Sequence, residues 1–234
     1  MTNDPHPIPQ IILNRDGASD GMTLSFMIAI GFSLLPASII SHAIQERNSG
    51  LKHQQLISGM NIFAYWTANY IFEIIKTELP ILLSLGLVYA FDEGLPMVWR
   101  TFLLLPVGLV PFTFGISFFF GQDSSAMSTV MFVNFVIAGL GGIAVFILSI
   151  ISQTYYVADI LTYVFRLVPI FSVTHTINFQ STKQAYEFLR PEMDLDDWRW
   201  IHSGGDIAFL CLHFIFWSIF IALAEMPALK KLNW

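Results

Sequence analysis

Charged residues are scarce in this chain. Only 12% of its 234 residues are Asp, Glu, Lys or Arg, whereas a soluble domain has about 25%. Hydrophobic residues make up 55%, which is more apolar surface than a single water-soluble globule or a disordered segment can accommodate. Acidic residues outnumber basic ones by 17 to 11, which excludes a nucleic-acid-binding domain. The composition indicates an integral membrane protein.

The chain also lacks the usual markers of disulfide, metal and nucleotide sites. Cys211 is its single cysteine, so neither an internal disulfide nor a cysteine zinc cluster can form. The six histidines show no metal-ligand spacing. No Gly-x-x-x-x-Gly-Lys-Ser/Thr loop is present to cradle ATP phosphates. The sequence therefore predicts no metal site, no catalytic site and no cofactor held by this chain.

Long uncharged runs predict the membrane-spanning helices. A helix needs about 20 apolar residues to cross the hydrocarbon core of a bilayer. We predict an all-α, polytopic domain with five spans, at 21–45, 61–91, 101–122, 126–151 and 206–225. Glycines 139, 141 and 142 are expected to act as a packing or kink feature in the fourth span.

A shorter apolar stretch predicts a re-entrant helical hairpin. Residues 157–180 are interrupted by Arg166, Pro169 and His175. Each arm around Pro169 has only about ten residues, too few to cross the membrane. Two half-helices that enter and leave on one side fit this pattern, provided that neighbouring protein satisfies their backbone groups. The apex of the hairpin is therefore placed at Pro169.

Basic residues predict the orientation, because they favour the cytoplasmic side. Arg47 and Lys52 follow the first span and Lys230 and Lys231 follow the last, whereas residues 180–206 are mostly acidic. This places the N-terminus, the hairpin and the 180–206 loop outside, and the C-terminus in the cytosol. An external N-terminus without a signal peptide also predicts a preceding span or domain.

The polar stretch between the first two spans carries the most specific pattern. Its composition is that of a solvated loop, while its spacing also allows a short helix that docks into a cytosolic partner. It runs from Gln45-Glu46-Arg47 to Lys52-His53-Gln54-Gln55-Leu56-Ile57-Ser58-Gly59, followed by Tyr65-Trp66 and Asn69. With Leu35-Pro36-Ala37-Ser38 and Pro80, these residues closely resemble the membrane domain of the A subfamily of ABC transporters.

The resemblance implies a role for each part of the chain. Residues 1–20 would end a large extracellular domain, 21–225 would form the transmembrane domain, and 226–234 would lead to a nucleotide-binding domain that binds ATP and magnesium. A second transmembrane half would complete the translocation path. The helix that couples to the ATPase domain would be formed by Glu46, Arg47, Lys52, His53, Gln54, Gln55, Ser58 and Gly59.

The second span carries a polar stripe formed by Asn69, Glu73, Lys76 and Thr77. An unpaired charge in the membrane costs at least ~2.5 kcal/mol, so Glu73 and Lys76 must pair or face protein or water. Two interpretations stay open. The stripe could line the translocation path or the interface between transporter halves, or it could be a self-satisfied structural ion pair.

The leading functional hypothesis is ATP-driven transport of a lipid or another amphipathic substrate, with no ATPase activity in this chain. A truncated, non-enzymatic membrane scaffold is the alternative from another class. An intramembrane hydrolase built on Ser117 and His213 is a third hypothesis, although such groups commonly join helices in lipid. At the hairpin the chain departs from the family pattern, with Val168-Pro169 in place of Phe-Pro and Thr176-Ile177 in place of Gly-Leu.

Overall fold

A computed structural model describes residues 15–91, 95, 97–151, 153–189 and 194–232. Most of the predicted N-terminal tail lies outside these ranges, as do residues 233 and 234. The described elements are helices, and the predicted all-α fold class is confirmed. They are α1 Arg15–Asn48, α2 Leu51–Ile57, α3 Ile62–Phe91, α4 Val98–Ser117, α5 Asp123–Asn134, a π-helical segment Phe135–Gly141, α6 Gly142–Ile150, α7 Tyr155–Phe165, α8 Pro169–Leu189 and α9 Ser203–Leu232.

Four helical stretches within the described residues are long and apolar enough to cross a membrane. They coincide with four of the five predicted spans, and they are Asp20–Asn48, Val98–Ser117, Asp123–Ser149 and Ser203–Glu225. Helix α3 covers the remaining predicted span with 30 residues. A helix suits this environment because it satisfies the backbone hydrogen bonds internally where lipid cannot.

Helix α4 lies at the centre of the fold and packs against α1, α3, α8 and α9. Its contact with α9 is close because two glycines have no side chain there. A Cβ on Gly108 would lie 2.9 Å from the carbonyl oxygen of Leu210, and a Cβ on Gly115 would lie 2.1 Å from the Trp217 ring. Substitution at either glycine would force the two helices apart.

The predicted glycine feature in the fourth span corresponds to the π-helical segment. This segment joins α5 and α6 into one continuous helical rod rather than breaking it. In a π-helix each amide bonds to the carbonyl five residues back, which widens the turn. Gly141 lies at its end, where a Cβ would approach the Phe165 ring to 3.0 Å.

The predicted hairpin is present as two helices, α7 and α8, that meet at Pro169. Proline is well placed as the first residue of a helix, where its missing amide hydrogen has no intrahelical role. Helix α8 has 21 residues, so it is longer than the arm predicted to end at 180, and the first part of the expected 180–206 loop is helical. Hydropathy falls there, yet Gln180 and Thr182 are buried against protein rather than exposed in a loop.

Candidate functional site

The predicted coupling segment folds into α2, a helix of seven residues that is shorter than the sequence indicated. Gly50 and Gly59 flank it with φ angles of 74° and 98°, values that glycine adopts without steric cost. Helix α2 contains no buried residue. Its apolar side chains Leu51 and Ile57 are 49% and 66% exposed. A short helix with exposed apolar groups is therefore presented at this end of the fold.

Lys52 ties the start of α2 to two other helices. Its Nζ atom forms an ion pair with Glu225 Oε1 near the end of α9. The same ammonium lies 5.2 Å from the centroid of the Tyr65 ring and 4.9 Å from that of Trp66, both on α3. The Tyr65 hydroxyl donates to Glu46 Oε2 at 2.9 Å. These contacts join α1, α2, α3 and α9 at a single point.

The end of α1 is fastened to the turn between α4 and α5. Arg47 Nη1 donates to the Ser117 carbonyl oxygen at 3.1 Å, and Arg47 Nη2 donates to the Phe120 carbonyl oxygen. Gln45 Nε2 adds a bond of 2.7 Å to Asp123 Oδ2. The Ser117 carbonyl also accepts the Phe120 amide at 3.2 Å. The guanidinium therefore adds a second bond at the last residue of α4 and binds the Phe120 carbonyl of the following turn.

The predicted coupling residues thus divide into two groups. Glu46, Arg47 and Lys52 make the bonds that anchor the segment to the rest of the chain. The second group faces the outside. Four of its residues are exposed and Gln55 is half-exposed; the group comprises His53, Gln54, Gln55, Ser58 and Gly59.

The predicted polar stripe on α3 contains the expected ion pair. Lys76 Nζ lies 2.5 Å from Glu73 Oε2, and His42 Nδ1 on α1 lies 3.4 Å from Glu73 Oε1. The Glu73 side chain is 1% exposed, whereas the Lys76 side chain is 37% exposed. Thr77 is buried and Asn69 is half-buried. The stripe therefore contains a buried carboxylate whose cationic partner still reaches the surface.

A second polar cluster lies at the opposite end of the fold, around the turn before Pro169. Arg166 is fully buried, and its Nε donates to Asp206 Oδ1 at 2.7 Å. Its Nη atoms donate to the backbone carbonyl oxygens of Trp200, Ile201 and His202 at 2.8–2.9 Å. We call this group, with its partners named below, the Arg166–Asp206 cluster.

The other carboxylate oxygen of Asp206 is satisfied from α8. Asp206 Oδ2 accepts hydrogen bonds from His175 Nδ1 at 2.8 Å and from Thr176 Oγ1 at 2.9 Å. A Cβ on Gly205 would lie 2.6 Å from Arg166 Nη1, so only glycine leaves room for the guanidinium. The cluster joins the hairpin, the 194–202 segment and α9. In the sequence, Arg166 and His175 stand out only as interruptions of an apolar stretch.

The residues of the hydrolase hypothesis bond to separate backbone groups. Ser117 Oγ donates to the Phe114 carbonyl oxygen at 2.7 Å. His213 Nε2 donates to the Arg166 carbonyl oxygen at 2.9 Å. Each group is satisfied by a carbonyl, so neither is arranged to activate the other. The geometry gives the hydrolase hypothesis no support.

Four long apolar helices and buried ion pairs within the described residues indicate a polytopic membrane protein. Residues 2–223 match the family model described as ABC-2 family transporter protein. The chain belongs to that family, and the resemblance seen in the sequence is confirmed.

Several A-subfamily proteins are similar to the chain. The human protein named ATP-binding cassette sub-family A member 2 is 26% identical over 162 residues, covering 65% of this chain and 7% of that protein. ABC transporter A family member 5 of Dictyostelium discoideum is 25% identical, covering 94% and 14%. The human protein named phospholipid-transporting ATPase ABCA7 is 24% identical, covering 89% and 10%. The chain thus spans a small part of the length of each relative.

Proposed function

We propose that this chain forms the transmembrane part of an A-subfamily ABC transporter that moves a phospholipid or another amphipathic molecule across a membrane. The observation that carries the proposal is α2, which has no buried residue yet is fastened at its start by Lys52 to α3 and α9. ATP and magnesium would be bound by a nucleotide-binding domain outside this chain, since the sequence has no phosphate-binding loop.

The exposed surface of α2 suits a docking helix. His53 and Gln54 offer hydrogen-bonding groups, and Leu51 and Ile57 offer apolar surface. An exposed apolar patch rimmed by polar groups is typical of a protein–protein contact. The predicted coupling residues that are exposed would make this contact, while Lys52 would transmit it.

Movement of α2 would reach the spans through its anchors. Lys52 joins α2 to Glu225 on α9 and to the aromatic rings of Tyr65 and Trp66 on α3. The Arg47 bonds extend the connection to the end of α4. Closure of two ATPase domains would then favour one arrangement of the spans over another, because ATP binds the two states with different affinity. A second transmembrane half would supply the opposite wall of the path.

The lipid substrate is proposed from the relatives, because one of the human proteins similar to this chain is named a phospholipid-transporting ATPase. The proposed orientation has α2 and the C-terminus in the cytosol. It is supported by the basic residues Arg47 and Lys52 beside α2 and Lys230 and Lys231 after the last span. The Arg166–Asp206 cluster and the hairpin would then lie at the extracytoplasmic end.

The proposal is tested with fluorescent phospholipid in proteoliposomes that hold this chain together with an ATPase domain and a second transmembrane half. The double substitution His53→Ala and Gln54→Ala should abolish most ATP-dependent lipid movement and leave the melting temperature unchanged, because both side chains are exposed. Ser125→Ala is the matched control: Ser125 is exposed at the same end of the fold but lies outside α2, so its transport rate should be unchanged.

Two outcomes would contradict the proposal. Normal ATP-dependent transport by the double variant would show that α2 is not the docking surface. No ATP-dependent lipid movement by the unmodified assembly would remove the transport function and favour the scaffold alternative.

A further inference from the structure

A cleft separates α3 from α9 at the end of the fold that carries α2. Both helices pack against α4, and the space left between them has a volume of about 290 Å³. Small-molecule sites in proteins begin at about 300 Å³. The cleft therefore has room for one small organic molecule.

Aromatic rings and one carboxylate give the cleft its chemical character. Phe63, Trp66 and Tyr70 line it from α3, and Ile221 and Glu225 line it from α9. Phe63 is 75% exposed, so the cleft is open to its surroundings, whereas Glu225 is buried. Aromatic faces attract organic cations, and a carboxylate supplies the opposite charge. The lining is thus suited to a hydrophobic ammonium ion.

The chain itself places such an ammonium group at the cleft. Lys52 Nζ on α2 forms an ion pair with Glu225 Oε1. It also lies 4.9 Å from the centroid of the Trp66 ring and 5.2 Å from that of Tyr65. Two of its three partners, Glu225 and Trp66, belong to the cleft lining. The position of Lys52 therefore indicates which charged group the cleft selects.

The ion pair leaves Glu225 able to accept a different cation. Lys52 engages only Oε1, and within the part of the chain that the structure describes no group donates a hydrogen bond to Oε2. The Lys52 side chain is 19% exposed, so its ammonium can leave for water, whereas the Glu225 side chain is 7% exposed. An external ammonium ion can thus replace Lys52 without leaving a buried carboxylate unpaired.

We infer that the cleft between α3 and α9 binds a small hydrophobic amine in its protonated form, with the apolar part among the aromatic rings and the ammonium on Glu225 in place of Lys52. The ligand is a free amine and not an aminophospholipid, because a lipid phosphate beside the ammonium would be repelled by the same carboxylate. Exchange of the two ammonium groups would release α2 from α3 and α9. This consequence for coupling rests on the proposed function, whereas binding of the amine does not.

Binding is tested by melting temperatures of the purified chain in detergent. The probe is 4-phenylbutylamine, and its neutral analogue 4-phenylbutanol reports any effect of the apolar part alone. A molecule that binds the folded chain raises the melting temperature in proportion to its affinity and concentration. The amine should raise it more than the alcohol does, and Glu225→Gln should abolish this difference.

Lys52→Ala gives the sharpest test, because it removes the internal competitor and leaves Glu225 without a cation. This variant should bind the amine about tenfold more tightly than the unmodified chain. Lys183→Ala is the matched control: Lys183 also pairs with a carboxylate, that of Asp197, but neither residue lines the cleft. Its affinity for the amine should equal that of the unmodified chain. Equal affinities of the two variants, or equal stabilisation of Lys52→Ala by the amine and the alcohol, would overturn the inference.

Two further measurements identify the source of the amine and its effect. Lysophosphatidylethanolamine carries an ammonium next to a phosphate and should stabilise Lys52→Ala less than the free amine; equal stabilisation would overturn the assignment to a free amine. In proteoliposomes with the complete assembly, the amine should slow ATP-dependent lipid movement. Unchanged transport at a saturating concentration would overturn the release of α2. Absence of transport without the amine would instead contradict the proposed function, and the melting experiments would still decide whether the cleft binds the amine.

Discussion

The two ends of the helical bundle hold their charges in different ways. At the end that contains the hairpin, Arg166 and Asp206 are fully buried, and Arg166 makes hydrogen bonds to Asp206 and to three carbonyl groups. At the end that contains α2, Lys52 and Glu225 form an ion pair whose side chains are 19% and 7% exposed. Arg47 there bonds only to two carbonyl oxygens of a turn.

The difference indicates which end can rearrange at the lower cost. A fully bonded buried cluster rigidifies its surroundings, and removing one member leaves other buried groups unsatisfied. Lys52 is 19% exposed and Arg47 is half-buried, so water can replace part of their contacts at lower cost. The hairpin end therefore suits a fixed closure of the bundle, whereas the α2 end suits a hinge that responds to a docked partner.

The largest effect is expected from Arg166→Met. The substitution leaves Asp206 buried without its cationic partner, and it should lower the free energy of unfolding by about 3–5 kcal/mol. Tryptophan fluorescence during thermal unfolding in detergent measures the loss. The double variant with Asp206→Leu should recover part of the stability, since an apolar pair leaves no buried charge. A loss no larger than that of Lys52→Met would erase the proposed difference between the two ends.

An intermediate effect is expected from Lys52→Met. The variant leaves the buried Glu225 carboxylate without its cationic partner, at a site where Lys52 is 19% exposed and water can enter. It should cost about 2 kcal/mol by the same unfolding measurement. The rate of ATP-dependent lipid movement should fall by more than the loss of folded protein explains, because Lys52 links α2 to α3 and α9. His53→Ala serves as the control for stability and should melt as the unmodified chain does. Full transport by Lys52→Met would argue against the hinge.

The smallest effect expected is a dependence of the stability of the hairpin end on pH. His202 is buried and stacks on Phe179 with ring centroids 4.1 Å apart. Burial lowers the pKa of His202 below its ordinary value of 6.5, and the nearby charges of His175, Arg199 and Arg166 act in the same direction, against a hydrogen bond to the Asp196 carbonyl.

The direction of the pH dependence of stability follows from this lowered pKa. Below pH 6.5 the unfolded chain takes up a proton at His202 more readily than the folded chain. The contribution of His202 to stability is therefore fully present above that pH and decreases as the pH falls below it. Melting temperatures between pH 5 and 8 measure the slope, and His202→Gln should reduce it. His53→Gln, at an exposed position, should leave the slope unchanged. A melting temperature that rises as the pH falls would contradict the assignment.

Much of the architecture could be predicted because the membrane imposes it. Uncharged runs indicated the spans, and the short arms around Pro169 indicated a helix pair. Helix α8 extends beyond the prediction because Thr182 and Gln180 are buried against protein. A prediction from hydropathy instead assumes that polar residues lie outside the membrane. The i, i+3 spacing of Glu73 and Lys76 on one helix made their pairing one of the two interpretations that the sequence left open.

The Arg166–Asp206 cluster could not be predicted in the same way. Its two charged residues are 40 positions apart in the chain, and most of its acceptors are backbone carbonyl groups that any residue would supply. Only the packing of the hairpin against α9 brings them together. The one available signal in the sequence was a lone arginine in an apolar stretch. Burying such a charge is costly, so a partner was required, but the sequence did not identify it.

The π-helical segment Phe135–Gly141 has a consequence for chain length. A wide turn holds one residue more than an α-helical turn, so deleting one residue there restores α-helical bonding without rotating α5 against α6. Leu140 is suited to such a deletion, because its side chain is 51% exposed. Elsewhere in an α-helix, a deletion turns the following residues by about 100° and moves a buried face to the outside. The rod is therefore built so that its sequence can shorten by one position while both of its packed faces are kept.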